Sequence, residues 1–146
     1  MKSSIIFSLF ILLSTSCGSK KVIDPTESDE PQIILSHGGG FTGEVKTFYL
    51  LENGQLFKSD DIAGTICSQK ELKTNFSKQI FSNYKTLGIN KMSRDTPGNM
   101  VYSITMKDKN GEHKIEWGRG QEGTEMLQVF YSNVMNMIRI SNEDKK

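Results

Sequence analysis

Met100 to Gly118 (MVYSITMKDKNGEHKIEWG) is the stretch whose reading decides the fold. Met100, Tyr102, Ile104 and Met106 alternate with Val101, Ser103 and Thr105, a period of two that puts one set on each face of a strand. Asn110-Gly111 then turns the chain. With those two residues as the turn, Lys109 faces Glu112, Met106 faces Ile115 and Ile104 faces Trp117, so the apolar faces of both strands coincide. An apolar sheet face needs a cover. One follows directly: Thr124 as N-cap opens a helix whose Leu127, Phe130, Tyr131, Val134 and Ile138 form a stripe, running to about Ile140 before a charged tail at 141–146.

The same order occurs upstream. Gln32 to Ser36 (QIILS) reads as a strand ending in the cluster His37-Gly38-Gly39-Gly40-Phe41-Thr42-Gly43. Glu44 to Glu52 (EVKTFYLLE), Asn53-Gly54 and Gln55 to Ser59 (QLFKS) read as a hairpin with a type I′ turn. That turn pairs Leu51 with Leu56 and Leu50 with Phe57, gathering Val45, Tyr49, Leu51 and Leu56 on one face and Phe48, Leu50 and Phe57 on the other. Neither face is polar, which predicts a hairpin covered on both sides. Ser68 to Leu87 reads as a helix: Ser68 and Glu71 make a capping box, Leu72, Phe76, Ile80, Tyr84 and Leu87 recur at helical spacing, and Gly88 stands at C′. The two Asn-Gly pairs are 57 residues apart, so hairpin followed by helix occurs twice. The expected fold is α+β, an antiparallel sheet of about five strands with two helices on one face, in a single domain over 32–140.

The chain of 146 residues carries 18 Lys and Arg against 17 Asp and Glu. A balance of +1 with no basic cluster gives no reason to expect nucleic acid, whose phosphates are bound by grouped cations.

Met1 and Lys2 precede the apolar run Ile5 to Leu13 (IIFSLFILL), about half the length needed to span a bilayer and the build of a secretory signal over 1–16. Leu13-Ser14-Thr15-Ser16-Cys17 resembles the lipobox of bacterial lipoproteins, with Leu one residue further from the Cys than is usual. The glycine cluster, Tyr49-Leu50-Leu51 with its Asn-Gly turn, Pro97-Gly98-Asn99 and Trp117-Gly118 are together similar to small Bacteroidetes-type lipoproteins. That resemblance implies acylation of Cys17, partnership with membrane lipid through it, and a place in the cell envelope, on the outer membrane; it carries no catalytic residue across. Gly18 to Pro31 has two prolines and mixed charge without apolar periodicity and reads as a tether, roughly 20 Å end to end as a flexible coil. With Cys17 acylated, Cys67 has no disulfide partner.

Within the domain, His37 to Gly43 (HGGGFTG) carries the strongest chemical signal. It contains an HGGG like the oxyanion loop of some esterases and a GxGxxG spacing, yet there is no GxSxG elbow and a strand, not a helix, follows. Positive φ and close backbone approach account for the glycines, and exposed N–H groups keep His37, Gly38, Gly39, Gly40, Phe41, Thr42 and Gly43 as a candidate anion-binding loop. Cys67 stands either at a helix N-terminus as an activated thiol or in a hydrophobic staple with Leu72. Trp117 and Arg119 form a candidate recognition patch, although the parity of Trp117 with Ile115 points inward. No HxxxH, CxxC or HExxH spacing indicates a metal, and no cofactor is expected. The functional expectation is a non-catalytic envelope domain that binds a protein, glycan or small ligand. The alternatives are a thiol enzyme or hydrolase using Cys67, His37 or His113, and an inhibitor of an envelope hydrolase.

Overall fold

The computed structural model describes residues 24–60 and 64–143. The signal segment, Cys17, the first part of the tether and residues 144–146 lie outside them. The protein folds as a mixed seven-stranded sheet with two helices. The strands are β1 (Gln32–Gly39), β2 (Val45–Leu51), β3 (Leu56–Asp60), β4 (Thr65–Ser68), β5 (Asp95–Thr96), β6 (Met100–Asp108) and β7 (Gly111–Gly118). Their order in space is β4-β3-β2-β1-β6-β7-β5, antiparallel throughout except for β5 beside β7. β1 is therefore inserted between the two hairpins. Helix α1 spans Thr74–Thr86 and α2 spans Glu125–Glu143.

Residues buried from both helices join one core with a single parity of sheet residues. Ile33 and Leu35 of β1, Phe48 and Leu50 of β2, Leu56 of β3, Ile104 of β6, and Ile115 and Trp117 of β7 meet Ile80, Phe81 and Tyr84 of α1 and Leu127, Phe130, Tyr131, Val134 and Ile138 of α2. The α2 stripe is the one its 3.6-residue spacing predicts.

The hairpins differ from expectation in instructive ways. Between β2 and β3 the observed partners are Leu50 with Leu56 and Tyr49 with Phe57, one residue away from the type I′ register. Type I′ needs positive φ at both turn residues, and Asn53 does not have it. Instead Gly54 N–H closes on Leu51 (2.9 Å), Leu51 N–H on Gln55 (2.9 Å), and Gly54 alone has positive φ, a three-residue loop with a glycine bulge. A slip of one exchanges faces, so Phe48, Leu50 and Leu56 share the helix-covered face while Val45, Tyr49, Leu51 and Phe57 take the other. Between β6 and β7 the slip is two: Met106 faces His113, Ile104 faces Ile115, and Tyr102 faces Trp117. Asp108 Oδ1 caps the Asn110 N–H at 2.7 Å and moves the turn to Lys109-Asn110, and the even shift leaves every side chain on its expected face.

Two further corrections concern element ends. Ser68 caps no helix. Cys67 and Ser68 close β4 opposite Lys58 and Phe57, the following backbone bonds Gln69 N–H to Leu56 (2.8 Å) and Leu72 N–H to Gly54 (2.9 Å), and α1 begins only at Thr74. Strand pairing took the backbone groups that a capping box would have used. With β5, this accounts for seven strands where about five were expected. Gly88 does adopt the left-handed conformation, φ 70°, just past α1. At the other end, residues 24–31 are folded against the domain. Gln32 Nε2 donates to the Pro25 carbonyl (2.9 Å), Lys107 Nζ to that of Thr26 (2.9 Å), and Glu52 N–H to that of Pro31 (2.9 Å).

Candidate functional site

The helices cover one sheet face; on the other, Gln32, Leu51 and Phe57 are buried at one end, and among the described residues no helix packs on the rest. Register brings its side chains into rows that cross the strands, with neighbours in a row about 4.8 Å apart. One row runs Ser59, Thr47, Ser36, Ser103 and Glu116; the next runs Phe57, Tyr49, Ile34, Thr105 and Lys114. Centred on β1, all of these residues except Ser59 and Phe57 line a trough of about 510 Å³. Ser36 and Thr47 hydroxyls hydrogen-bond at 3.1 Å, and Lys114 pairs with Glu116 along β7. Ser103 and Thr105 lie at its floor, 7% and 6% exposed. Chemically the surface is a field of hydroxyls, each able to donate and accept, with one tyrosine and an acidic-basic-acidic border from Glu112, Lys114 and Glu116.

The histidines sit on the opposite, covered face, each tied to a helix. His37 Nδ1 lies 2.7 Å from the Tyr131 hydroxyl, and His113 Nδ1 lies 2.6 Å from that of Tyr84. The second ring nitrogen of His113 donates to the Met92 carbonyl at 2.8 Å, because a carbonyl only accepts; in the neutral ring Nδ1 is then the acceptor and Tyr84 the donor. Burial pushes the Tyr84 hydroxyl up to about 12, which keeps it a donor. Burial, with a smaller contribution from Tyr102, also raises Tyr131. Desolvation and then the Lys46 charge lower His37, so the Tyr131–His37 bond holds an unprotonated ring. Sequence reading placed both tyrosines in apolar stripes and missed these bonds. The available signal was a tyrosine in a core stripe facing a strand with an inward histidine.

His37, Cys67 and His113 do not converge. Cys67 is exposed on β4, three strands or roughly 14 Å from β1, and four residues along β7 separate His113 from the row of His37, roughly 16 Å in all. The thiol-enzyme reading loses its site with that spacing. Among the described residues no group of three or more His, Cys, Asp and Glu side chains could hold a metal.

In the glycine loop, Gly39 N–H donates to Glu44 (3.1 Å) and Gly40 N–H to Asn99 (2.7 Å), so neither faces an anion. A Cβ at Gly38 would stand 2.3 Å from the Glu44 carbonyl oxygen, which is why β1 ends in residues without side chains. Phe41 projects fully into solvent and Thr42 and Gly43 are exposed. The patch of Trp117 and Arg119 does not exist as a surface. Trp117 is fully buried, its ring 5.9 Å from Tyr102 and 6.1 Å from Tyr131, and only Arg119 is exposed. The inward parity of β7 prevailed.

No protein-family model matches the chain, and no curated protein matches it either. Among the described residues no helix is long and apolar enough to cross a membrane.

Proposed function

We propose that the chain is a cell-envelope lipoprotein, anchored through an acylated Cys17, whose domain binds an envelope glycan in the uncovered trough. The single observation that supports the binding half is the hydroxyl row Thr47, Ser36 and Ser103 ending at Glu116. Sugars present alternating donors and acceptors at comparable spacing, carboxylates such as Glu112 and Glu116 accept from neighbouring hydroxyls, and the Tyr49 ring offers an apolar face. The anchor half is supported by the apolar run and Leu13-Ser14-Thr15-Ser16-Cys17.

Calorimetric titration with soluble peptidoglycan fragments and chitooligosaccharides tests the trough. Saturable binding is expected, weakened at least tenfold by Thr47→Val with Ser103→Ala at unchanged thermal midpoint. A protein that binds none of these probes at millimolar concentration refutes it. Intact mass of the native product tests the anchor: a diacylglyceryl-modified Cys17 is expected, and an unmodified amino terminus sinks it.

A further inference from the structure

Residues 24–31 mark one end of the sheet. Residues 24–31 pack beside the start of β1 and the β2–β3 turn, through the bonds of Pro25, Thr26 and Pro31. Helix α1 starts on the same turn. Leu72 N–H donates to Gly54, Thr74 Oγ1 to Asn53 (3.2 Å), and the buried Ser77 hydroxyl lies 2.9 and 2.8 Å from the Leu51 and Glu52 carbonyls. The last turns of α2 close this end. There Met137 and Ile140 meet Leu72 and Phe76 around a cleft of about 350 Å³, flanked by Lys70, Glu71 and Lys73. Phe76 and Ile140 remain 48% and 54% exposed.

We infer that this end of the fold is a membrane-contacting surface, with Phe76 and Ile140 seated at the headgroup–acyl boundary of the bilayer that holds the anchor. The inference rests on the reading of Cys17 as acylated. Reach selects the occupant. Seven Cα steps separate Cys17 from Asp24, at most about 25 Å at full extension. The cleft shares its end of the fold with Asp24 and lies across the sheet from it, because Gln32 and Lys107, which hold Pro25 and Thr26, have the parity of the face opposite the helices. Val129, equally apolar and 59% exposed, stands eleven residues before Ile140, about 16 Å further along the α2 axis. Phe41 is further still, beyond the opposite end of β1, about 25 Å from Gln32. A tether this short presents the cleft to the bilayer at an effective concentration on the order of millimolar. An apolar contact too weak to recruit a free protein is then occupied, and lysine stems lie along the apolar surface with their ammonium groups among the headgroups.

The acylated full-length protein, reconstituted in phosphatidylcholine vesicles containing a shallowly brominated phospholipid, tests this. Trp117 is fully buried and gives a constant background whose near-ultraviolet dichroism reports that each variant is packed. Three single variants carry the reporter, Phe76→Trp, Ile140→Trp and Val129→Trp. Emission from positions 76 and 140 should fall at least twofold in brominated relative to plain vesicles, and emission from 129 should change by less than a tenth. Equal quenching at all three positions means that the helical layer lies flat on the bilayer, and quenching at none means that this end stands in solvent; either overturns the inference. An acylated protein with silent reporters refutes the contact surface alone, whereas a product with unmodified Cys17 overturns the anchor and this surface together.

Discussion

Replacing Gly39 and Gly43 in turn by alanine separates a glycine loop built for packing from one built for binding. Both residues have positive φ, +105° and +66°, which costs an alanine roughly 1–2 kcal/mol. They differ in their surroundings. A Cβ on Gly39 would stand 2.4 Å from the Asn99 carbonyl oxygen, the acceptor of the Gly40 N–H, whereas a Cβ on Gly43 meets nothing within 4 Å. Relieving that overlap moves backbone in a close-packed strand end, a further cost of roughly 1–3 kcal/mol. Gly39→Ala should therefore destabilise by roughly 2–5 kcal/mol and Gly43→Ala by about 1–2 kcal/mol. With a urea dependence of about 1.5 kcal/mol per molar, the unfolding midpoint falls by roughly 1.3–3.3 M for the first and by roughly 0.7–1.3 M for the second. Out of a total stability of about 5–15 kcal/mol the first is a large loss. Urea titration followed by the buried Trp117 reads both. Equal shifts, or an unshifted Gly39→Ala, would refute the packing account and return the loop to the list of binding elements.

Three other outcomes follow from the same geometry. Tyr84→Phe deletes the donor to His113 Nδ1 while leaving the ring against Phe130, and should lower stability by roughly 1–2 kcal/mol in thermal unfolding. Trp117→Ala should cost about 3–5 kcal/mol and Arg119→Ala less than about 0.5 kcal/mol, the contrast expected when one partner is core and the other surface. The last concerns pH. His37 faces Tyr131 and feels Lys46, Lys58 and Glu44; desolvation first and the Lys46 charge second hold it below 6.5 in the folded protein. The unfolded chain then binds a proton that the folded chain resists. Stability contributed by His37 falls as pH drops below about 6.5, with a slope of up to about 1.4 kcal/mol per unit. Urea midpoints at pH 8, 6.5 and 5 should show this, and His37→Gln should flatten it.

Much of the architecture was legible because its signals are local. Leu127 to Ile138 repeat at helical spacing on a helix that has no competing use for its backbone, and all five expected stripe residues are buried. The parity of β6 and β7 survived a wrong turn because an error of two preserves faces. That of β2 and β3 did not survive an error of one, and whether Asn53 takes positive φ is invisible in the residue type. Ser68 and Glu71 have the local chemistry of a capping box, but pairing with β3 is a non-local gain that only the fold makes available. The trough was illegible for a related reason. Ser103 and Thr105 were plainly opposite to Ile104, yet Ser36 and Thr47 join them only because β1 inserts between the hairpins, a fact of topology.

The trough's depth bears on its occupant. Ser103 and Thr105 are almost wholly withdrawn from solvent although no helix covers them, so their remaining hydrogen-bonding capacity is reachable only by a slender group entering between neighbouring side chains. A flat protein surface would rest on Tyr49, Val45 and the Lys114–Glu116 border and leave the floor unmet, burying polar groups without partners at a cost. The proposed glycan strand, one ring thick and bearing hydroxyls on its edges, would meet both floor and border. Thr47→Val with Ser103→Ala, which removes hydroxyls from the row and leaves the border intact, should then weaken glycan binding at least tenfold while sparing any protein contact made by the rim.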